Sequence, residues 1–203
     1  MRQPSIRSLF VYWDWLRGSR PAPDRSEIDP GEIRSDLPAV FILGMDAERR
    51  YPFRLAGTSV CALYGRELRD TAFSALWSPS SEVEITQLLR CVVEESAGAV
   101  TAVTGRNEDG ARLDLEMILL PLTCRDGERA RLIGALACPS PPVWLGVRPV
   151  LALETGNVRF VGPAVEGATA RGFVASAASP LSGSGFVLYP AAGRDSISGN
   201  IQG

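Results

Sequence analysis

Histidine and lysine are both absent from this 203-residue chain; all 21 basic residues are arginine. Without histidine there is no Ser-His-Asp triad, no histidine-ligated zinc and no histidine-ligated haem. Without lysine there is no Schiff base and no phosphate loop of the Walker type. Cysteine is scarce: Cys61, Cys91, Cys124 and Cys138 are widely and unevenly spaced, with no C-x-x-C pair. A metal or redox site normally shows tighter spacing, so the expectation is no metal and no cofactor. Each of these cysteines sits in an apolar stretch, where a thiol behaves as a small hydrophobe. Nowhere do ~18 apolar residues run together, and Asp14 and Arg17 interrupt the first apolar letters, so neither a membrane span nor a leader is expected. The expected compartment is the cytoplasm. An excess of one charge is missing too: the formal net charge is -2, so composition gives no case for nucleic acid as a partner. These absences favour binding over catalysis.

What is present is ordinary for a folded domain, with 45% hydrophobic and 22% charged residues. The length allows one domain with an appendage. From Ser5 to Arg17, residues Ile6, Leu9, Phe10, Trp13 and Leu16 follow helical spacing, with Gly18 as the stop. Val11, Tyr12 and Trp15 are also large but point elsewhere, so this helix needs more than one packing partner. A proline- and aspartate-rich stretch from Arg20 to Pro38 follows. Ala39 to Met45 and Tyr51 to Ala56 read as strands, the second with Phe53 and Leu55 on one face and Arg54 on the other. Thr58 is placed to cap a short helix that Gly65 ends. The spacing predicts a long helix over Ser81 to Ala97, with Ser81 and Glu84 as a capping box.

Three strands follow: Ala99 to Arg106, Leu113 to Leu122, and Arg131 to Cys138, with a hairpin turn at Asp126-Gly127. This order of strands, helical block and strands indicates an α+β fold. Beyond a proline linker, Val150 to Leu153 and Val158 to Val161 are expected to pair across Thr155-Gly156-Asn157 as a small hairpin. The segmentation is therefore an amphipathic helix over 1–19, a domain over 20–138, an extension over 139–162, and a plain, flexible tail over 163–203 that is dispensable for folding.

A specific set of residues then stands in order. Leu16-Arg17-Gly18, Pro23, Asp29-Pro30, Leu37-Pro38, Phe53-Arg54-Leu55-Ala56-Gly57-Thr58, Gly65-Arg66-Glu67-Leu68, Trp77 and Trp144-Leu145-Gly146 together resemble a single-domain bacterial PAS family, formerly a domain of unknown function. The resemblance covers roughly Ser5 to Val161. It implies a five-stranded antiparallel sheet with helices on one face, preceded by the N-terminal helix. It also implies a stand-alone regulatory or sensory module that acts on a signalling protein partner, without its own output domain. The Asn-Cys-Arg-Phe stretch of flavin-binding light sensors is missing, which disfavours flavin photochemistry.

The resemblance puts a ligand, if there is one, between the sheet and the long helix. The residues for that small apolar pocket are Phe53, Leu55, Tyr64, Phe73, Trp77, Leu88, Leu89, Val92, Leu113, Leu115 and Met117; the alternative is a closed core. Arg54 and Glu116 form the other candidate pair, read either as a guanidinium that grips a partner carboxylate or as a cross-strand ion pair on the outer sheet face. Val11, Tyr12 and Trp15 make the candidate interaction face, for a partner protein or for a homodimer through the N-terminal helix. Competing with the module reading is a small-molecule enzyme on a cone-like α+β fold, an isomerase or hydratase with Asp114 or Glu116 as base. A haem sensor ligated by Cys or Met is a third alternative.

Overall fold

The computed structural model describes residues 1–124 and 131–162. The Asp126-Gly127 turn and the 163–203 tail lie outside these residues. Helix α1 spans Pro4–Arg17, with proline at the start where its missing N–H has no helical partner, and Gly18 at φ 56° ends it. Strands β1 (Val40–Gly44) and β2 (Phe53–Ala56) come next. Helices α2 (Thr58–Tyr64) and α3 (Pro79–Glu94) form the helical block. The chain then gives β3 (Gly98–Asn107), β4 (Arg112–Leu122), β5 (Arg131–Ala137) and β6 (Val150–Val161).

The six strands make one antiparallel sheet in the order β2-β1-β5-β4-β3-β6. The fold is α+β, with one strand more than the five expected. The expected hairpin across Thr155-Gly156-Asn157 does not form. Residues 150–161 are one strand running the length of β3, from Asn107↔Val150 to Gly98↔Val161. Thr101 pairs with Val158 and Val103 with Thr155, so β6 carries one extra residue there. The glycine-asparagine signal marks a bulge, which absorbs that residue and keeps the strand paired.

Both faces of the sheet are buried, which is why β4 reads as a continuous apolar run. Along β4, Leu113, Leu115, Met117 and Leu119 face α2 and α3, while Ile118, Leu120 and Leu122 face the other way. The outer set is covered by Ile6, Leu9 and Trp13 of α1 and by Ala22, Ile28 and Ile33 of the proline-rich stretch. Both faces therefore carry a cover, α2 and α3 on one and the preceding helix α1 on the other.

Two starts of helices differ from the sequence reading. Gly57, not Thr58, is the cap of α2, and a Cβ there would lie 2.2 Å from the Leu37 carbonyl oxygen. Only glycine fits so close a backbone approach. Helix α3 begins at Pro79 after Ser78 and ends at Glu94, so Ser81 sits in the first turn and does not cap it. Its hydroxyl instead accepts the Thr155 backbone N–H at 3.0 Å, and the Thr155 hydroxyl bonds Glu84. The Ser81 and Glu84 spacing thus serves to clamp β6 onto α3.

Candidate functional site

The inner sheet face gathers the expected pocket residues. Phe53, Tyr64, Phe73, Trp77, Leu88, Leu89, Val92, Leu113, Leu115 and Met117 all belong to one buried cluster. Leu55 does not; it is 44% exposed. The cause is a register slip in the β1–β2 pairing, where Ile42 faces Leu55 but Leu43 faces Phe53. The slip breaks the strict alternation that would have put Phe53 and Leu55 on one side.

Aromatic rings fill this face. The Phe41 ring centroid lies 5.7 Å from that of Phe53 and 5.4 Å from that of Phe73. Phe73 in turn lies 5.5 Å from Phe53 and 5.7 Å from Trp77. These are contact separations for aromatic pairs. Gly134 makes the arrangement possible, since a Cβ there would fall 2.4 Å from Phe41 Cζ. The ring of Phe41 crosses its neighbouring strand over that bare backbone. Tyr64 donates its hydroxyl to the Leu76 carbonyl at 3.5 Å, and burial pushes its phenol well above the ordinary tyrosine value. Trp77 is 5% exposed and its indole N–H is buried without an acceptor among the described residues.

Arg54 and Glu116 are not brought together. Arg54, on β2, pairs with Asp70 at 3.1 Å, and both side chains are well exposed. Glu116, on β4, turns to the start of α1: its carboxylate accepts the backbone N–H groups of Arg2 at 2.8 Å and Gln3 at 2.8 Å. Arg159 of β6 lies 3.9 Å from the same carboxylate, which is largely buried. Gln3 supplies no side-chain cap to α1, so Glu116 takes that part from the sheet face beneath the helix, where negative charge favours the helix start. The expected cross-strand ion pair between Arg54 and Glu116 is not formed. Asp114 is exposed and pairs with Arg112 at 2.7 Å. The two carboxylates named for acid-base chemistry thus lie on the outer side of β4, away from the inner-face cluster.

The N-terminal helix presents the second candidate. Ile6, Leu9 and Trp13 are fully buried against β4 and β5, and the Trp13 indole N–H donates to the Pro121 carbonyl at 2.8 Å. Proline within β4 gives up its own N–H, and its carbonyl anchors the helix. Arg17, nearly buried, lies over the Trp13 ring at 5.4 Å and pairs with Asp14. On the opposite side Trp15 is 71% exposed and Val11 59%. Tyr12 is partly covered, because its hydroxyl accepts the Asp29 N–H at 2.8 Å and so ties the proline-rich stretch to the helix. That stretch therefore covers Tyr12 but leaves Val11 and Trp15 bare. An open groove of about 700 Å³ lies on this side of the helix, lined by Arg2, Pro4, Arg7, Ser8, Val11, Tyr12, Trp15 and Glu32.

Among the described residues no group of three His, Cys, Asp or Glu side chains could hold a metal ion, and no helix is long and apolar enough to cross a membrane. Cys61, Cys91 and Cys138 are free thiols, each partly buried. Burial pushes the thiols of Cys61, Cys91 and Cys138 above their ordinary value, so they are poor nucleophiles at neutral pH.

Three solved structures are similar to this chain at low identity. A PAS domain from Colwellia psychrerythraea is 15% identical, with 54% of this chain and 97% of that one covered, at a TM-score of 0.40. An RNA-binding light-oxygen-voltage receptor is 18% identical over 57% of this chain and 36% of that one, at 0.41. A variant of the fungal photoreceptor VVD is 14% identical over 63% and 92%, at 0.42. No curated protein sequence matches. A family model described as the PAS domain matches residues 1–137, from the start of α1 to the end of β5. By that match the chain belongs to the PAS domain family, a family of sensory and signalling modules.

Proposed function

We propose that this chain is a non-enzymatic PAS module that signals by protein–protein contact through the outward face of α1. One observation carries the reading: Val11 and Trp15 are bare on a helix whose other side is fully committed to the sheet. Exposed tryptophan beside aliphatic surface is the composition of an interface anchor. The occupant of this face is another protein surface, either a signalling partner or a second copy. The inner face, where the family's ligands would sit, is packed with the protein's own rings, so the working surface is outside.

A second reading rests on Trp77. A buried indole N–H without an acceptor is costly, about 1–3 kcal/mol. A small apolar molecule with one acceptor atom, admitted by movement of the aromatic cluster, would relieve it. Native mass spectrometry of freshly purified protein separates the two. The contact reading expects the bare chain mass together with partners whose capture is lost on Trp15→Ala. A small molecule retained at stoichiometry favours the sensor reading. Capture unchanged by Trp15→Ala, with no change in self-association either, sinks the contact reading.

A further inference from the structure

A second apolar surface lies away from α1, where the chain crosses from β5 to β6. Within that crossing Trp144 and Leu145 pack against the inner-face cluster. Their neighbours turn outward: Val143 is fully exposed and Val147 is 80% exposed. The turn holds them in place, because the Leu145 N–H donates to the Pro142 carbonyl at 3.0 Å and the Val147 and Arg148 N–H groups donate to the Trp144 carbonyl at 3.0 Å. An open groove of about 520 Å³ is lined by Val143, Trp144 and Val147 on one side of the sequence and by Asn107 and Ala111 of the β3–β4 turn on the other. Leu151 of β6 is exposed too, and its neighbour Val150 pairs with Asn107. Apolar side chains gathered in this way mark a surface that gains by being covered.

The polar groups of the groove are already spent. Arg148 and Asp109, which both line it, form an ion pair with each other. The Asn107 side-chain oxygen accepts the Asp109 N–H at 3.0 Å and the Ala111 N–H at 2.8 Å. An uncharged apolar occupant therefore strands no charge here, whereas a charged one would lose its water without gaining a partner.

We infer that the occupant is a segment of this same chain, residues 186–189. Beyond Gly162 the sequence holds a single run of four large apolar residues, Phe186, Val187, Leu188 and Tyr189, bounded by Gly185 and Pro190. No charged residue occurs between Arg171 and Arg194, so the run and its flanks match the groove in carrying no charge. Phe173-Val174 offers only two such side chains. Reach is ample. The groove stands at the Val150 end of β6, and the chain continues from the Val161 end, about 36 Å away at ~3.3 Å per residue. The roughly 24 residues from Gly162 to Phe186 can span up to about 80 Å. Covalent attachment holds the run near the groove at an effective concentration on the order of millimolar, so contacts too weak to keep a separate peptide suffice. The chain thus closes its own groove, and any partner that reads the same surface must first displace residues 186–189. This contact is independent of the α1 reading, and either can fail alone.

The test uses the full-length chain with the photoreactive p-benzoylphenylalanine in place of Phe186, an aromatic for an aromatic. Irradiation should give a cross-link to residues 143–151, located by peptide mass mapping, in a product of single-chain mass, 21.8 kDa. Combining the probe with Val143→Ser and Val147→Ser should cut the yield about fivefold or more. Both valines are exposed, and an unchanged thermal melt confirms that the variant is folded. Leu188→Ser carries the same expectation without touching the groove. The probe in place of Phe173 should give a much lower yield at 143–151. No cross-link to 143–151, or a yield indifferent to the serine substitutions, overturns the inference. So does an equal yield from position 173, which would deny the choice of segment. A cross-link to the groove found only between two chains, at twice the single-chain mass, assigns the surface to a second copy and overturns it as well.

Discussion

Trp13 and Trp77 are buried on opposite faces of the sheet, and their indole N–H groups meet different fates. That of Trp13 donates to the Pro121 carbonyl at 2.8 Å, and that of Trp77 has no acceptor among the described residues. Replacement by phenylalanine removes a comparable volume at each site but a hydrogen bond at only one. Trp13→Phe also strands the Pro121 carbonyl in an apolar layer. Denaturant unfolding should therefore show Trp13→Phe costing about 1 kcal/mol or more beyond Trp77→Phe. The reverse order would mean that the Trp77 donor has an acceptor after all. The residue scale also shows where single letters mislead. Leu55 reads as core by alternation and is exposed because of one slipped pair in a four-residue strand. Glu116 reads as surface and is one of the most connected carboxylates in the protein, a role set by a helix more than a hundred positions away.

At the scale of elements, α1 is held by two kinds of contact: a buried stripe along its length and the Glu116 carboxylate at its start. The stripe was legible, since Ile6, Leu9 and Trp13 recur at helical spacing, and so was the surplus of large residues that leaves Trp15 outside. The fixing of the start was not legible, because an end-on hydrogen bond from another strand leaves no periodic trace. It can be tested separately. Glu116→Ala removes the acceptor for two backbone N–H groups and should cost about 1.5–3 kcal/mol, the range for hydrogen bonds to a charged group. Hydrogen exchange should rise in the N-terminal peptide of α1 while the β3–β4 pairing keeps its protection. Uniform loosening of the sheet would show instead that the carboxylate supports β4 itself. Strand β6 teaches the same lesson from the other side. Its apolar letters were visible, but Gly156-Asn157 has the composition of a turn. Only the presence of β3 alongside, ten residues long, makes a bulge the better solution. The Ser81 and Glu84 pair likewise carried a true spacing signal for a local cap, which tertiary contact with Thr155 redirected.

For the molecule as a whole, the missing histidine governs its response to acid and base. No side chain with an ordinary value near 6.5 exists to titrate between folded and unfolded states around neutrality. On the alkaline side, the groups that change are buried acids of higher value. Burial raises the thiols of Cys61, Cys91 and Cys138 and the phenol of Tyr64 above their ordinary values. In the unfolded chain these thiols ionise at about 8.5. Above that pH the folded state holds more protons than the unfolded one, so the slope of stability with pH is negative. The stability present below the unfolded value is lost as pH rises toward the folded values. Thermal melts should therefore be level from about pH 6 to 8 and should fall progressively above about pH 8.5. Replacing Cys61, Cys91 and Cys138 together by alanine should flatten the alkaline decline, whatever it does to the melting point at neutral pH. The Tyr64 contribution should persist in that variant and appear only above about pH 10, where the unfolded phenol begins to ionise. A decline already under way between pH 6 and 7 would contradict the scheme, since no histidine is available to produce it.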